Sequence, residues 1–268
     1  MNPTQMDSKS PKAVAVAGPV TPIARDIHAG PEAEKIRHMF DEIAGRYDLA
    51  NTIMSAGIHH LWRQSLVKWS AAQIGDRVLD CATGTGDLAI EFKKAVGPSG
   101  QVIGTDFSAE MLSPAPAKAV RKNLEIHFEQ ADVTQLKYQD ASFDISSISF
   151  GIRNVQNPVL GLSELARVVR PGGTVMVLEF GQPTLPGIGS AYRFYSERIL
   201  PKIGGWITGK PQAYEYLQGS SAQFPCREDF LKLMEETGYF EKLEYRPVTL
   251  GIAYMYKGIV RAKSGFVR

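Results

Sequence analysis

From residue 77 onward the chain alternates short apolar runs with amphipathic stretches. Val78-Leu79-Asp80 predicts a buried strand, and residues 88–96 carry apolar positions at helical spacing. The turn Gly97-Pro98-Ser99-Gly100 precedes a second strand over 102–106. Ser108 then has the chemistry of an N-cap, and Pro114 and Pro116 disturb the helix that it opens. Short strands follow at 126–128 and 143–150, the latter a continuous buried run. Asn157-Pro158 opens a helix over 159–169, which closes at Arg170-Pro171-Gly172-Gly173 before a strand over 174–180 carrying Glu179. Strands alternating with helices predict an α/β fold, a parallel sheet covered on both faces.

The flanks read differently. Residues 1–30 mix Pro3, Pro11, Pro19 and Pro22 with small and polar residues in no sustained period, which is the composition of a flexible tail. Residues 31–268 then read as a single domain. Pro31 suits a first helical turn, and Ile36, Met39, Phe40 and Ile43 recur at helical spacing. A further helix over 61–69 should point Leu66 and Trp69 inward, so that residues 31–75 form a helical cap ahead of the first strand. Residues 182–225 are an insertion. Within it, 188–206 reads as one aromatic helix broken at its end by Lys202, Gly204 and Gly205. An amphipathic helix over 230–237 is capped by Gly238, and strands over 240–247 and 250–260 make a hairpin that places one antiparallel strand in the sheet.

Composition narrows the class. A chain of 268 residues that is 44% hydrophobic can build a substantial core. Its net charge of +2 gives no reason to propose nucleic acid. The two cysteines, Cys81 and Cys226, have no metal-ligand spacing, and a reduced cytoplasmic protein is expected. No apolar run reaches the roughly 18 residues of a membrane span, and the first residues lack the pattern of a secretion signal.

The chemistry concentrates at Val78-Leu79-Asp80-Cys81-Ala82-Thr83-Gly84-Thr85-Gly86-Asp87. Gly84 and Gly86 sit between a predicted strand and a predicted helix, where bare backbone lets a ligand approach closely. Asp106 ends the next strand at the interval, roughly 20 residues on, that suits an acceptor of ribose hydroxyls. The third glycine of a dinucleotide fingerprint is missing, and Asp87 at the helix start should repel a pyrophosphate. A nucleoside carrying a cationic sulfonium, S-adenosyl-L-methionine, fits these residues better. No metal is expected, since His59 and His60 have no third ligand nearby in sequence.

The ordered set of GTGD at 84–87, acids at 106 and 132, Pro171-Gly172-Gly173 and a terminal hairpin resembles a class I S-adenosylmethionine-dependent methyltransferase. Residues 40–51 (FDEIAGRYDLAN), 57–62 (GIHHLW), 148–155 (ISFGIRNV), Leu178-Glu179-Phe180 and Leu200-Pro201-Lys202-Ile203-Gly204 are similar to segments of the ubiquinone/menaquinone biosynthesis C-methyltransferases. The resemblance runs from about 35 to 260 and departs from the family at Pro114 and Pro116. It implies a Rossmann-like, doubly wound, mostly parallel seven-stranded sheet with an antiparallel terminal strand, added N-terminal helices and a substrate-side insertion at 182–225. It implies that Gly84, Thr85, Gly86, Asp106, Asp132, Val133 and Ser149 contact the cofactor, Thr85 beside its methionine part. Asp132 would accept from the adenine amino group and Val133 would offer a backbone donor. It also implies a prenylated quinol as substrate, typically demethylmenaquinol and in some members a ubiquinol precursor.

For this substrate Arg153 and Asn154, just past a central strand, and Tyr47 are the catalytic candidates. Arg153 could hold a deprotonated quinol oxygen, or could simply pair with Asp48 or Glu179. Tyr47 could orient the ring, relay a proton or pack between helices, and one of the two histidines could act as base. Part of the aromatic stripe would line a greasy tunnel or rest on the inner face of the membrane as a peripheral contact. A homo-oligomer is left open. The rival readings are a nicotinamide-dependent oxidoreductase, an O- or N-methyltransferase, and a non-catalytic cofactor-binding scaffold of a quinone-making complex.

Overall fold

The computed structural model describes residues 32–262 apart from 184 and 186. The expected tail and Pro31 lie outside the described residues. Seven strands form one sheet: β1 (Arg77–Cys81), β2 (Gln101–Asp106), β3 (His127–Gln130), β4 (Phe143–Ser149), β5 (Val169–Phe180), β6 (Phe240–Val248) and β7 (Ala253–Val260). Their order is β3-β2-β1-β4-β5-β7-β6, and β7 is the strand that runs against its neighbours.

Alternation along the central strands explains burial on both faces. On β5, Val175 and Val177 join one core cluster, while Met176 and Leu178 join the other. On β7, Tyr254 and Tyr256 face the first, Ala253 and Met255 the second. The first cluster is closed by α7 (Pro158–Arg167) and α11 (Glu228–Glu236), through Leu162, Leu165, Phe230 and Leu233. The second is closed by α3 (Ile58–Ser70) and α4 (Asp87–Val96), through Trp62, Leu66, Leu88 and Phe92. Each such side chain contributes about 1.5–3 kcal/mol when fully buried. The proline pair divides the following helix into α5 (Ala109–Leu112) and α6 (Ala115–Val120).

A third cluster joins the two flanking regions. Ile43 of α1 (Ala33–Ile43) and Ala50 of α2 (Tyr47–Met54) pack against the 182–225 segment. That segment comprises α8 (Ile188–Phe194), a π-helical turn at Tyr195–Ile199, α9 (Leu200–Thr208) and α10 (Pro211–Gln223). Ile207, Ala213 and Tyr214 complete the cluster. The two regions are therefore one layer in space, although more than 100 residues of sheet separate them in sequence.

Several expected boundaries are corrected. The aromatic stretch is two helices joined by a π turn, and Lys202, Gly204 and Gly205 lie inside α9. A Cβ on Gly204 would stand 2.3 Å from the Tyr214 ring, so this glycine permits helix–helix approach rather than a helix end. Helix α9 stops at Gly209 instead, at φ 77°. Helix α7 ends at Arg167 because Val169 already pairs with Phe143, and a bulge absorbs Pro171 to Gly173 before Ile145 pairs with Thr174. Leu250 belongs to the 3₁₀ turn Thr249–Gly251, not to a strand. Helix α3 begins at Ile58, which places His59 and His60 in its first turn, and Trp62 rather than Trp69 is the buried tryptophan.

Candidate active site

Strand order reverses between β1 and β4, and the loops leaving their carboxyl ends open a crevice of about 1100 Å³. On the β1 side, Gly86 caps α4 at φ 84°, where a Cβ would press on Ala115 and Phe128 at 3.0 Å. The Gly84 N–H donates to Asp106 Oδ2 at 2.7 Å, and the Ser108 N–H donates to Oδ1 at 2.9 Å. Asp106 thus fixes the glycine loop while lining the crevice. Burial raises its pKa to about 6 against the lowering effect of those two donors.

Asp132, Val133 and Ser149 line the same crevice, as do Gly84 and Thr85, with Phe40, Phe107 and Met111 supplying apolar wall. Asp132 Oδ1 accepts from both the N–H and the hydroxyl of Thr134 at 2.8 Å, which orients its carboxylate. The Thr85 hydroxyl is turned to the cap, donating to Asp48 Oδ1 at 2.6 Å. A second pin joins the cap to the N-terminus of α5, since the Ser108 hydroxyl donates to Asp41. Helices α1 and α2 are therefore fastened across the crevice by two aspartates.

The expected repulsion by Asp87 is corrected. Its carboxylate meets Lys118 Nζ at 2.5 Å and Arg63 Nη1 at 3.4 Å. Burial works to raise its pKa, but Arg63 and Lys118 outweigh that effect and hold it below the ordinary value. Its negative charge is compensated, so Asp87 no longer argues against a pyrophosphate.

A second cavity of about 1200 Å³ adjoins the crevice and shares Tyr47, Arg63 and Phe150 with it. Its walls are largely apolar, with Trp62, Phe180, Tyr192 and Tyr195 among them. Arg153 lines this cavity, 4% exposed, with Nη1 donating to Glu179 Oε1 at 2.6 Å and to the Phe150 carbonyl at 2.7 Å. Of its two expected partners the structure selects Glu179, because Asp48 is engaged by Thr85 and Lys118. Arg153 Nε has no hydrogen-bond partner among the described residues. Burial raises Glu179, with Arg153 acting in the opposite direction. Asn154 faces the crevice and accepts from the Tyr216 hydroxyl at 3.3 Å. Tyr47 lines both cavities, and burial raises its phenol, so it remains a proton donor at neutral pH rather than a base.

Arg63 was not among the candidates. It is 8% exposed, lines both cavities, and leaves Nε and Nη1 without hydrogen-bond partners, Nη1 lying 3.4 Å from Asp87. The sequence offered only an arginine one helical turn after His59. The third ligand thought missing beside the histidines also exists in space. One ligand atom each of His59, His60 and Asp87 lie within 4.8 Å of one another. Lys118 and Arg63 already supply positive charge there, so these residues do not suit a metal cation.

The crevice at the strand switch, joined to an open apolar cavity, defines a protein of the class I methyltransferase architecture. A crystal structure described as a SAM-dependent methyltransferase from Thermotoga maritima has the same fold, with TM-score 0.59 and 19% identity, over 84% of this chain and 99% of that one. The profile of the ubiE/COQ5 methyltransferase family matches residues 29–260, and the chain belongs to that family. It is 65% identical over 231 residues to a ubiquinone/menaquinone biosynthesis C-methyltransferase of Bdellovibrio bacteriovorus, 86% of this chain and 98% of the relative. It is 41% identical to a demethylmenaquinone methyltransferase of Deinococcus radiodurans, covering 85% of this chain and 93% of the relative.

Proposed function

We propose that this protein methylates a ring carbon of a prenylated quinol, with demethylmenaquinol as the principal substrate. It is a C-methyltransferase of quinone biosynthesis that uses S-adenosyl-L-methionine. The observation that supports a quinol acceptor is the meeting of the crevice that carries Asp106 and Asp132 with an apolar cavity at Tyr47, Arg63 and Phe150.

In this reading Asp106 accepts from the ribose hydroxyls and Asp132 from the adenine amino group. The Val133 backbone meets the ring, and Gly84, Thr85 and Ser149 shape the remainder, with Gly86, which does not line the crevice, closing the turn behind them against Ala115 and Phe128. When bound, the cofactor supplies an electrophilic sulfonium methyl. The quinol ring enters from the apolar cavity. Phenols titrate near 10 in water, and Arg63 and Arg153 provide fixed positive charge that stabilises the quinolate. Tyr47 and Asn154 hold the ring oxygens, so that the nucleophilic carbon is placed about 3–3.5 Å from its target.

The outer surface of the helices that wall the cavity also fits a lipid-borne substrate. Leu49 and Ile53 of α2 and Phe194, Ile199 and Trp206 of the adjoining segment are exposed, Trp206 at 85%. Arg193, Arg198 and Lys202 lie exposed among them. Among the described residues no helix is long and apolar enough to cross a membrane. Peripheral contact with an anionic bilayer accounts for this surface.

Incubation with isotope-labelled S-adenosylmethionine and either demethylmenaquinol or a ubiquinol precursor, followed by mass analysis of the lipid, tests the assignment. Label in the first lipid supports it. Label in the ubiquinol precursor alone transfers the activity to the other branch, and label in neither refutes it.

A further inference from the structure

We propose that His59 is the base that removes the ring proton after methyl transfer, and that His60 passes that proton to solvent. This rests on the reading above. Quinol ring methylation leaves a carbon carrying both the new methyl and its original hydrogen. That hydrogen must depart as a proton, returning the C–H electron pair to the ring and restoring aromaticity as the methylated quinolate, which takes a proton from solvent to become the quinol. No oxidant is required, but an acceptor inside the apolar cavity is.

The hydrogen bonding of His59 fixes where its own proton sits. The Ser55 hydroxyl has one proton, and it is donated to the Asn51 carbonyl at 2.7 Å. With that bond made, Ser55 Oγ accepts from His59 Nδ1, 2.5 Å away, which assigns the imidazole hydrogen to Nδ1. Nε2 is left with its lone pair. The ring is 5% exposed and lines the apolar cavity, one helical turn from Arg63 at the junction with the crevice.

Competitors for the role fail on chemistry. Tyr47 keeps its proton, the Tyr195 hydroxyl donates to the Met54 carbonyl at 2.6 Å, and Arg153 is a cation. Glu179 is held against Arg153 at 2.6 Å. Burial is the main cause that pushes His59 down, to about 4, with Arg63 and His60 on its own helix assisting and Asp87 and Asp48 opposing. A neutral imidazole of that strength would be a poor base towards a phenol. It is adequate towards a carbon acid whose ionisation restores an aromatic ring.

The exit is also present. The His59 and His60 ring centroids lie 4.0 Å apart at an interplanar angle of 39°, and His60 is exposed. The Asp87 carboxylate lies in the same 4.8 Å cluster but is already neutralised by Lys118 and Arg63, so the imidazolium is short-lived and passes its proton on. The grouping that looks like a metal site thus serves as a proton path.

The test is His59→Gln, assayed with quinol carrying deuterium at the methylated carbon. The expected result is a loss of about 100-fold or more in kcat, with S-adenosylmethionine affinity by calorimetry unchanged and KM for the quinol little altered. A primary deuterium effect on kcat should appear in the variant and be absent in the wild type, because proton loss becomes rate-limiting. His59→Gln turning over at the wild-type rate with no isotope effect overturns the proposal. Should the variant fail to fold, ¹⁵N spectra of the histidine-labelled wild type decide instead. A protonated Nδ1 and bare Nε2 support the assignment, and the opposite tautomer overturns it. Wild-type protein inactive on every quinol would refute the substrate reading itself, an outcome distinct from an active wild type with an equally active variant.

Discussion

Asp106→Asn separates binding from stability. The native carboxylate accepts from Gly84 N–H at 2.7 Å and Ser108 N–H at 2.9 Å, and in the proposed complex it also accepts from two ribose hydroxyls. Hydrogen bonds to a charged acceptor contribute about 1.5–3 kcal/mol each. The asparagine oxygen can keep one anchor, while its NH₂ faces a donor at the other. Allowing for the bonds retained, cofactor binding should weaken by about 2–4 kcal/mol, roughly 30- to 1000-fold. Stability should respond differently. With a folded pKa of about 6 against an ordinary 3.8, the native state holds the proton more tightly than the unfolded chain. Ionisation therefore destabilises the fold progressively as pH climbs from about 4 to about 6, reaching about 3 kcal/mol above that window. Removing the charge relieves this term and offsets the lost anchor, so unfolding in urea at pH 7 should change little. Calorimetric titration of the cofactor and urea unfolding on the same samples check both halves. The reasoning is refuted if the variant binds S-adenosylmethionine within about threefold of wild type, or if the affinity loss is matched by an equal loss of fold stability.

Three further outcomes are expected. Arg153→Ala should cost about 3–5 kcal/mol by denaturant unfolding, because it strands Glu179 without a counter-charge. Adding Glu179→Gln should recover much of that stability while quinol turnover stays depressed, which separates the ion pair from the chemistry. Gly204→Ala should destabilise by about 1–3 kcal/mol through overpacking against the Tyr214 ring, measured as a lowered urea midpoint. Trp206→Glu should abolish sedimentation with anionic vesicles yet leave turnover of a short-chain, detergent-dispersed quinol intact. Unchanged vesicle binding would remove the membrane role from α9.

Much of the sheet was legible because its signals are local. The run Val78-Leu79, the helical spacing of 88–96 and the carboxylate at 106 each follow from a few adjacent residues. The glycine loop could be placed for the same reason, since a strand–turn–helix junction is written in consecutive positions. Element ends were less legible. Gly204 and Gly205 look like a helix stop in sequence, and only the Tyr214 ring, ten residues on, explains why a glycine stands within α9. Pro171-Gly172-Gly173 likewise looks like a boundary, yet strand pairing with β4 carries β5 through it as a bulge.

The sequence by itself determined the order of strands and helices, the glycine loop and the acid that anchors it, and the family to which the chain belongs. Only tertiary structure decided which charges remain available. It gave Arg153 to Glu179, compensated Asp87 with Lys118 and Arg63, and set Ser55 against His59. It also brought the helices before the sheet and those of the 182–225 segment together as walls of one cavity. The reason is physical: periodicity records which residues are buried, whereas the partner that neutralises a buried charge comes from another element and has no mark in local sequence.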